Sequence, residues 1–183
     1  MSLKIMLELS DDDLRHFRKA MRDTKKAAKA LSIDEIAAAA RELILATRAK
    51  KVPAFVSDRL DRLAALVDML TDIEWKITGT DRDRIAATLA YFTEAEDLIP
   101  DEVPALGFLD DAIMIELVTR DLKHDIEAYA DFCEFRAHHE ARLKSNGEAS
   151  DRPREAWLED RRAVLHSRMR RRRRSGVTRY IWS

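Results

Sequence analysis

Apolar side chains recur every three or four residues over most of this chain, the period of a helix with one buried face. Leu14, Phe17, Met21 and Leu31 mark one such face, and Ile36, Ala40, Leu43, Ile44 and Thr47 a second. Leu60, Leu63, Val67, Leu70 and Ile77 form a third at near-heptad spacing, with Glu74 interrupting it; the run is too short for a coiled coil and suits a bundle. Ile85, Leu89 and Phe92 carry a fourth into the middle of the chain. Beyond it, Ile113, Leu117 or Val118, Leu122, Ile126, Tyr129 and Cys133 trace one long helix from Asp110 to about Leu143. The punctuation agrees. Ser10 before Asp11, Asp12 and Asp13 is a cap followed by acids at the positive dipole end. Ser32-Ile33-Asp34-Glu35 is a capping box, Pro53 breaks a helix, and Gly79-Thr80-Asp81 separates two more. Asn146-Gly147 ends the long helix, and a last amphipathic helix is expected from Pro153 through Trp157, Leu158, Val164 or Leu165, and Met169. Residues 3–9 alternate apolar and polar, which predicts an extended arm over 1–9 able to pair with another copy's arm. The fold class is all-α: a compact helical bundle of about five or six helices over 10–145, then a hinge, an amphipathic helix and a basic tail over 146–183.

The stretch from Asp97 to Asp111 departs from this pattern. Pro100 and Pro104 forbid a continuous helix, yet Leu98, Ile99, Val103, Leu106, Phe108 and Leu109 are too apolar for a solvated loop. Gly107 supplies a positive φ or a close backbone approach. Asp97-Leu98-Ile99-Pro100-Asp101, then Pro104, then Leu106-Gly107-Phe108-Leu109-Asp110-Asp111 resembles the signature of the YkvA-like family, a bacterial domain of unknown function. In that family D-x-I/L-P-D ends one helix and P-x-x-G-x-x-D-D opens the next, and the family-like core here spans about residues 85–129. The resemblance implies a small helical domain and brings no activity, cofactor or substrate with it.

Composition narrows the classes. The 183 residues are long enough for a real core, and only 4 Gly and 4 Pro interrupt them. With so few glycines, a Rossmann or P-loop domain is excluded. No apolar run reaches the roughly 20 residues of a membrane-spanning helix, and the N-terminus lacks the apolar region of a signal peptide. A cytoplasmic protein is the expectation. Cys133 is the single cysteine, so no internal disulfide forms, and it reads as a small half-buried hydrophobe. The net charge of −1 hides an asymmetry: residues 151–183 hold 11 Arg against 4 Asp/Glu, and the other 150 hold 22 Lys/Arg against 30 Asp/Glu. An acidic body therefore carries a basic tail.

Two constellations could carry chemistry. Between Tyr91 and Asp111 lie seven carboxylates and no Lys or Arg. Asp97, Asp101, Asp110 and Asp111 are candidate ligands for a hard cation such as Mg²⁺, Mn²⁺ or Ca²⁺, which would relieve their mutual repulsion. The same residues suit a structural role, since Asp110 and Asp111 would satisfy free amides at a helix start. Pro100, Pro104 and Gly107 are the structural elements of the motif. Glu134 and His138, four apart, are too few for zinc and read as solvated helix surface. In the tail, Arg168, Arg170, Arg171, Arg172, Arg173, Arg174 and Arg179, with Tyr180 and Trp182, are candidate anion-binding groups for nucleic acid or an anionic lipid surface. The alternative is a tail that neutralises the acidic body, within one chain or between two. The expectation is a non-catalytic interaction module, self-associating or binding an acidic partner through the tail, with no cofactor. The alternatives are a divalent-metal hydrolase of a phosphorylated substrate at the Asp cluster, and a peripheral protein at anionic membranes.

Overall fold

The computed structural model describes residues 8–50, 52–94, 109–146, 153–174 and 180–181. Seven α-helices lie among them: α1 (Asp11–Ala27), α2 (Ile33–Ala49), α3 (Ala54–Thr71), α4 (Gly79–Glu94), α5 (Leu109–Asp121), α6 (Lys123–Asn146) and α7 (Arg154–Arg174). A single 3₁₀ turn, Ala28–Ala30, follows α1.

The helix starts are built as the capping chemistry requires. The Ser10 hydroxyl accepts from the Asp13 amide at 3.2 Å and the Asp13 carboxylate accepts from the Ser10 amide at 2.9 Å. Ser32 and Glu35 repeat the arrangement for α2 at 3.2 and 2.7 Å. Helix α3 starts on Pro53, whose carbonyl accepts from the Val56 amide at 3.0 Å. Gly79 opens α4 at φ 62°, and an added Cβ there would meet nothing within 4 Å. Its glycine is therefore required by backbone conformation rather than by space.

Helix α4 is the central element. It packs on α1, α2 and α3, and Ile85, Ala87, Leu89 and Ala90 are fully buried along it with Thr88 among them. Surrounded in this way, it needs apolar or small residues on every side, which its Ala-rich sequence supplies. Leu9, just before α1, is half-buried against the same core; residues 1–7 of the expected arm lie outside the described residues.

One expectation is corrected. The long helix from Asp110 to Leu143 is two helices, α5 and α6, so that among the described residues six helices precede α7. The Leu122 amide still donates to the Val118 carbonyl at 2.9 Å, but the Leu122 carbonyl accepts from both Asp125 and Ile126, at 2.9 and 3.0 Å, and a new helix begins there. Neither Gly nor Pro marks this break, and the apolar period runs through it without a gap. What distinguishes the two ends is their partners: the Asp121 carboxylate accepts the amides of Tyr180 and Ile181, both at 2.7 Å, and Asp125 is buried against Arg173. The last amphipathic helix expected from Pro153 is present as α7. Helix α7 packs along α6, and Trp157, Leu158, Leu165, Met169 and Ile181 belong to the same core cluster as Phe17 on α1.

Leu165 is fully buried while its neighbour Val164 is 60% exposed. Leu165→Ala should cost about 2–5 kcal/mol in urea denaturation, and Val164→Ala less than about 0.5 kcal/mol. Equal, small effects would mean that α7 does not dock on the core.

Candidate functional site

Of the sequence-predicted acidic site, Asp97 and Asp101 lie outside the described residues, as do Pro100, Pro104 and Gly107. Asp110 and Asp111 occupy the first turn of α5, which starts at Leu109. Among the described residues no group of three or more His, Cys, Asp or Glu side chains is placed to hold a metal ion. Glu134 and His138 are 4.0 Å apart on an exposed stretch of α6.

Three arginines of the basic tail are paired with the body. Arg168 pairs with Asp131, Arg172 with Glu127 at 3.1 Å, and Arg173 with both Asp125 and Asp81. Four residues up α7 answer to four residues down α6, the register of an antiparallel helix pair. The ladder continues toward the start of α7: the Arg161 guanidinium lies 5.0 Å from the Phe135 ring centre, His139 stacks on Trp157 at 4.1 Å, and Arg154 pairs with Glu140. Arg173 is the deepest member at 11% exposed, and its partner Asp125 is fully buried. Asp81 and Asp125 stand in the first turns of α4 and α6, where the helix dipole favours a carboxylate. Arg170 and Arg171 are exposed, Arg174 is the last residue of α7, and Arg179 lies outside the described residues.

A second cluster gathers on the connection between α3 and α4. Asp72 accepts the Glu74 and Trp75 amides at 2.8 and 3.2 Å, the Tyr129 hydroxyl at 3.1 Å and the Arg136 guanidinium at 2.9 Å. Trp75 is fully buried against Phe132, Tyr129 and the edge of His166. Arg162, itself buried, donates to the Glu74 carbonyl at 2.5 Å. Burial, with Cys133 and Asp72 adjacent, pushes the Tyr129 hydroxyl well above its ordinary value, so it acts as a donor. Cys133 is half-buried beside Arg136, as its place in the helical period suggests. Burial, then the Arg170 and Arg162 charges, lower the His166 pKa below its ordinary 6.5, against an opposing pull from Asp81.

A third cluster was only half legible in the sequence. On the side where α3 meets α5, Arg59, Arg62 and Arg120 converge on Glu116. The distances are 3.3, 2.8 and 2.8 Å. Burial raises the pKa of Glu116, but the three guanidiniums outweigh it and hold the carboxyl below its usual range. Glu116 and Arg120 are an ordinary i,i+4 pair, so half of the cluster could have been read from spacing; the α3 arginines come from docking alone.

A family model described as a protein of unknown function (DUF1232) matches residues 84–117, under a fifth of the chain. The match runs from early α4 to the middle of α5 and includes the whole Asp97–Asp111 stretch. It supports an uncharacterised domain family of bacterial type for this segment. No curated protein and no solved structure matches the chain.

Two outcomes test these clusters. Arg173→Leu strands the buried Asp125 carboxylate and should cost about 3–5 kcal/mol in denaturant, whereas Arg173→Leu combined with Asp125→Leu should recover most of it. For His166, the folded state holds the ring neutral while the unfolded chain takes a proton near its ordinary pKa of 6.5. Stability is therefore present above that pH and lost as pH falls below it. The melting temperature should drop between about pH 7 and pH 5.5, and His166→Gln should flatten that part of the profile.

Proposed function

We propose that the chain is a non-catalytic helical interaction module, YkvA-like in its central segment, that binds an acidic partner through the exposed face of α7. Supporting this reading is the division of labour within the arginine run. Arg168, Arg172 and Arg173 spend their charge on Asp131, Glu127, Asp125 and Asp81. Arg170 and Arg171 are exposed, with no ion pair to a carboxylate among the described residues, and they stand on a helix held rigid by its neighbours. The backbone that carries these two guanidiniums is already helical, so meeting a phosphate or carboxylate array costs the ordering of the side chains alone, about 0.5–1.5 kcal/mol each. The paired members act as the mount and the unpaired ones as the contact. The reading places the chain in the cytoplasm, where a lone thiol such as Cys133 stays reduced. A divalent cation at Asp97, Asp101, Asp110 and Asp111 is a separate proposal, and the first-turn positions of Asp110 and Asp111 suit capping equally well.

Binding of a duplex oligonucleotide across a salt series tests the contact. If Arg170, Arg171, Arg174 and Arg179 each meet one phosphate, log K should fall with log salt at a slope of about −3.6. Arg170→Ala with Arg171→Ala should flatten the slope by about 1.8, while Arg172→Ala should change it little. An unchanged slope in the double variant would remove α7 as the contact. Salt-sensitive binding to anionic vesicles but not to the oligonucleotide would move the partner to a lipid surface; no described helix is long and apolar enough to cross a membrane.

A further inference from the structure

The Glu116 cluster is out of electrostatic balance. Among the described residues three guanidiniums face one carboxylate, an excess of two positive charges. Arg59 and Glu116 are each 25% exposed, so solvent screens this pair less than a surface pair, whereas Arg62 and Arg120 reach further into solvent at 48% and 58% exposed. The donors outnumber the acceptors as well. Arg59 donates to Glu116 and to the Phe55 carbonyl, Arg62 to Glu116, and Arg120 to Glu116. With about five N–H groups per guanidinium, most remain available. Like charges at this separation repel, and an additional anion would relieve that repulsion while accepting the spare donors in the forked geometry arginine favours.

The immediate surroundings add a second preference. Arg59 also lines an apolar pocket formed with Leu60, Leu63, Phe92, Ala112 and Ile115, of about 20 Å³. That volume holds roughly one water-sized group, far below the several hundred Å³ of a drug-sized site. A long acyl chain does not fit; the end of a short one does.

We propose that Arg59, Arg62 and Arg120 form a binding site for a short aliphatic carboxylate. Its anionic head sits on the guanidiniums of Arg59 and Arg62, and its apolar end enters the pocket beside Phe92 and Ile115. Glu116 is the internal counter-anion that keeps the empty cluster foldable and orients the three forks. The site lies on α3 and α5, away from Arg170 and Arg171, so it stands or falls independently of the α7 contact.

Titration calorimetry of the full chain with hexanoate tests this, with hexanol carrying the chain without the charge and chloride the charge without the chain. Saturable binding of hexanoate, with hexanol and chloride inert at matched ionic strength, is the expected result. Arg62→Gln should weaken hexanoate at least about tenfold, the loss of one charge-assisted hydrogen bond pair. Glu116→Gln should tighten it, because the competing internal carboxylate is gone; a positional role in packing alone would not produce that sign. Lys19→Gln, a surface lysine on α1, should leave it unchanged. Equal response to hexanoate and chloride, undiminished affinity in Arg62→Gln, or weaker binding in Glu116→Gln would each overturn the proposal.

Discussion

Asp72 ties this structure together at the point where four elements meet. Its carboxylate closes the turn after α3 through the Glu74 and Trp75 amides and accepts Tyr129 and Arg136 from α6. Trp75, swung inward by that turn, is the largest fully buried side chain among the described residues, wedged between Phe132 of α6 and His166 of α7. Lys76 at φ 50° and Gly79 at φ 62° then send the chain straight into α4. Positive φ in a lysine costs of order 1 kcal/mol, and it is tolerated because the turn is held from every side. Without the Asp72 turn, neither the Trp75 wedge nor the approach of α7 has a foundation.

Electrostatics then orders the outside. Part of the opposition between the acidic body and the basic C-terminal segment is satisfied by one antiparallel helix pair, in which Arg154, Arg168 and Arg172 of α7 meet Glu140, Asp131 and Glu127 of α6. The outer rungs of that ladder, such as Arg172 with Glu127, are exposed and contribute little each. The innermost, Arg173 between Asp125 and Asp81, is different, because a buried carboxylate left alone is far more costly than a surface one. Register in the α6–α7 pair thus rests on apolar burial of Leu158 and Leu165 and on the requirement that Asp125 keep its cation. The unpaired arginines are what remains after the register is satisfied, and their positions follow from it.

The segment matched to a domain family of unknown function, residues 84–117, holds most of α4 and the first turns of α5. These are the helices against which α1, α2 and α3 pack. Glu116 falls inside the match, while Arg59, Arg62 and Arg120 fall outside it, so the arginine cluster joins family-like and chain-specific parts.

The sequence by itself determined the helical class, the starts of α1, α2 and α3, and the buried sides of α2 and α3, because caps, prolines and a 3.6-residue period act locally and need no tertiary partner; on α6 the buried line is Asp125, Ala128 and Phe132 rather than the half-buried Ile126, Tyr129 and Cys133, and Leu31 after α1 is exposed. It also contained the α6–α7 ladder in latent form, since Glu127 and Asp131, like Arg168 and Arg172, are spaced four apart. The break at Leu122 left no such trace. Its apolar period is continuous, and the chain divides there because Asp121 and Asp125 serve partners some fifty to sixty residues away. The same holds for Arg59 and Arg62, which are unremarkable surface arginines along α3 until α5 delivers Glu116. Local pattern reports which face of a helix is buried; which charge meets which is settled only when helices distant in sequence dock, because a Coulomb interaction depends on separation in space and not along the chain.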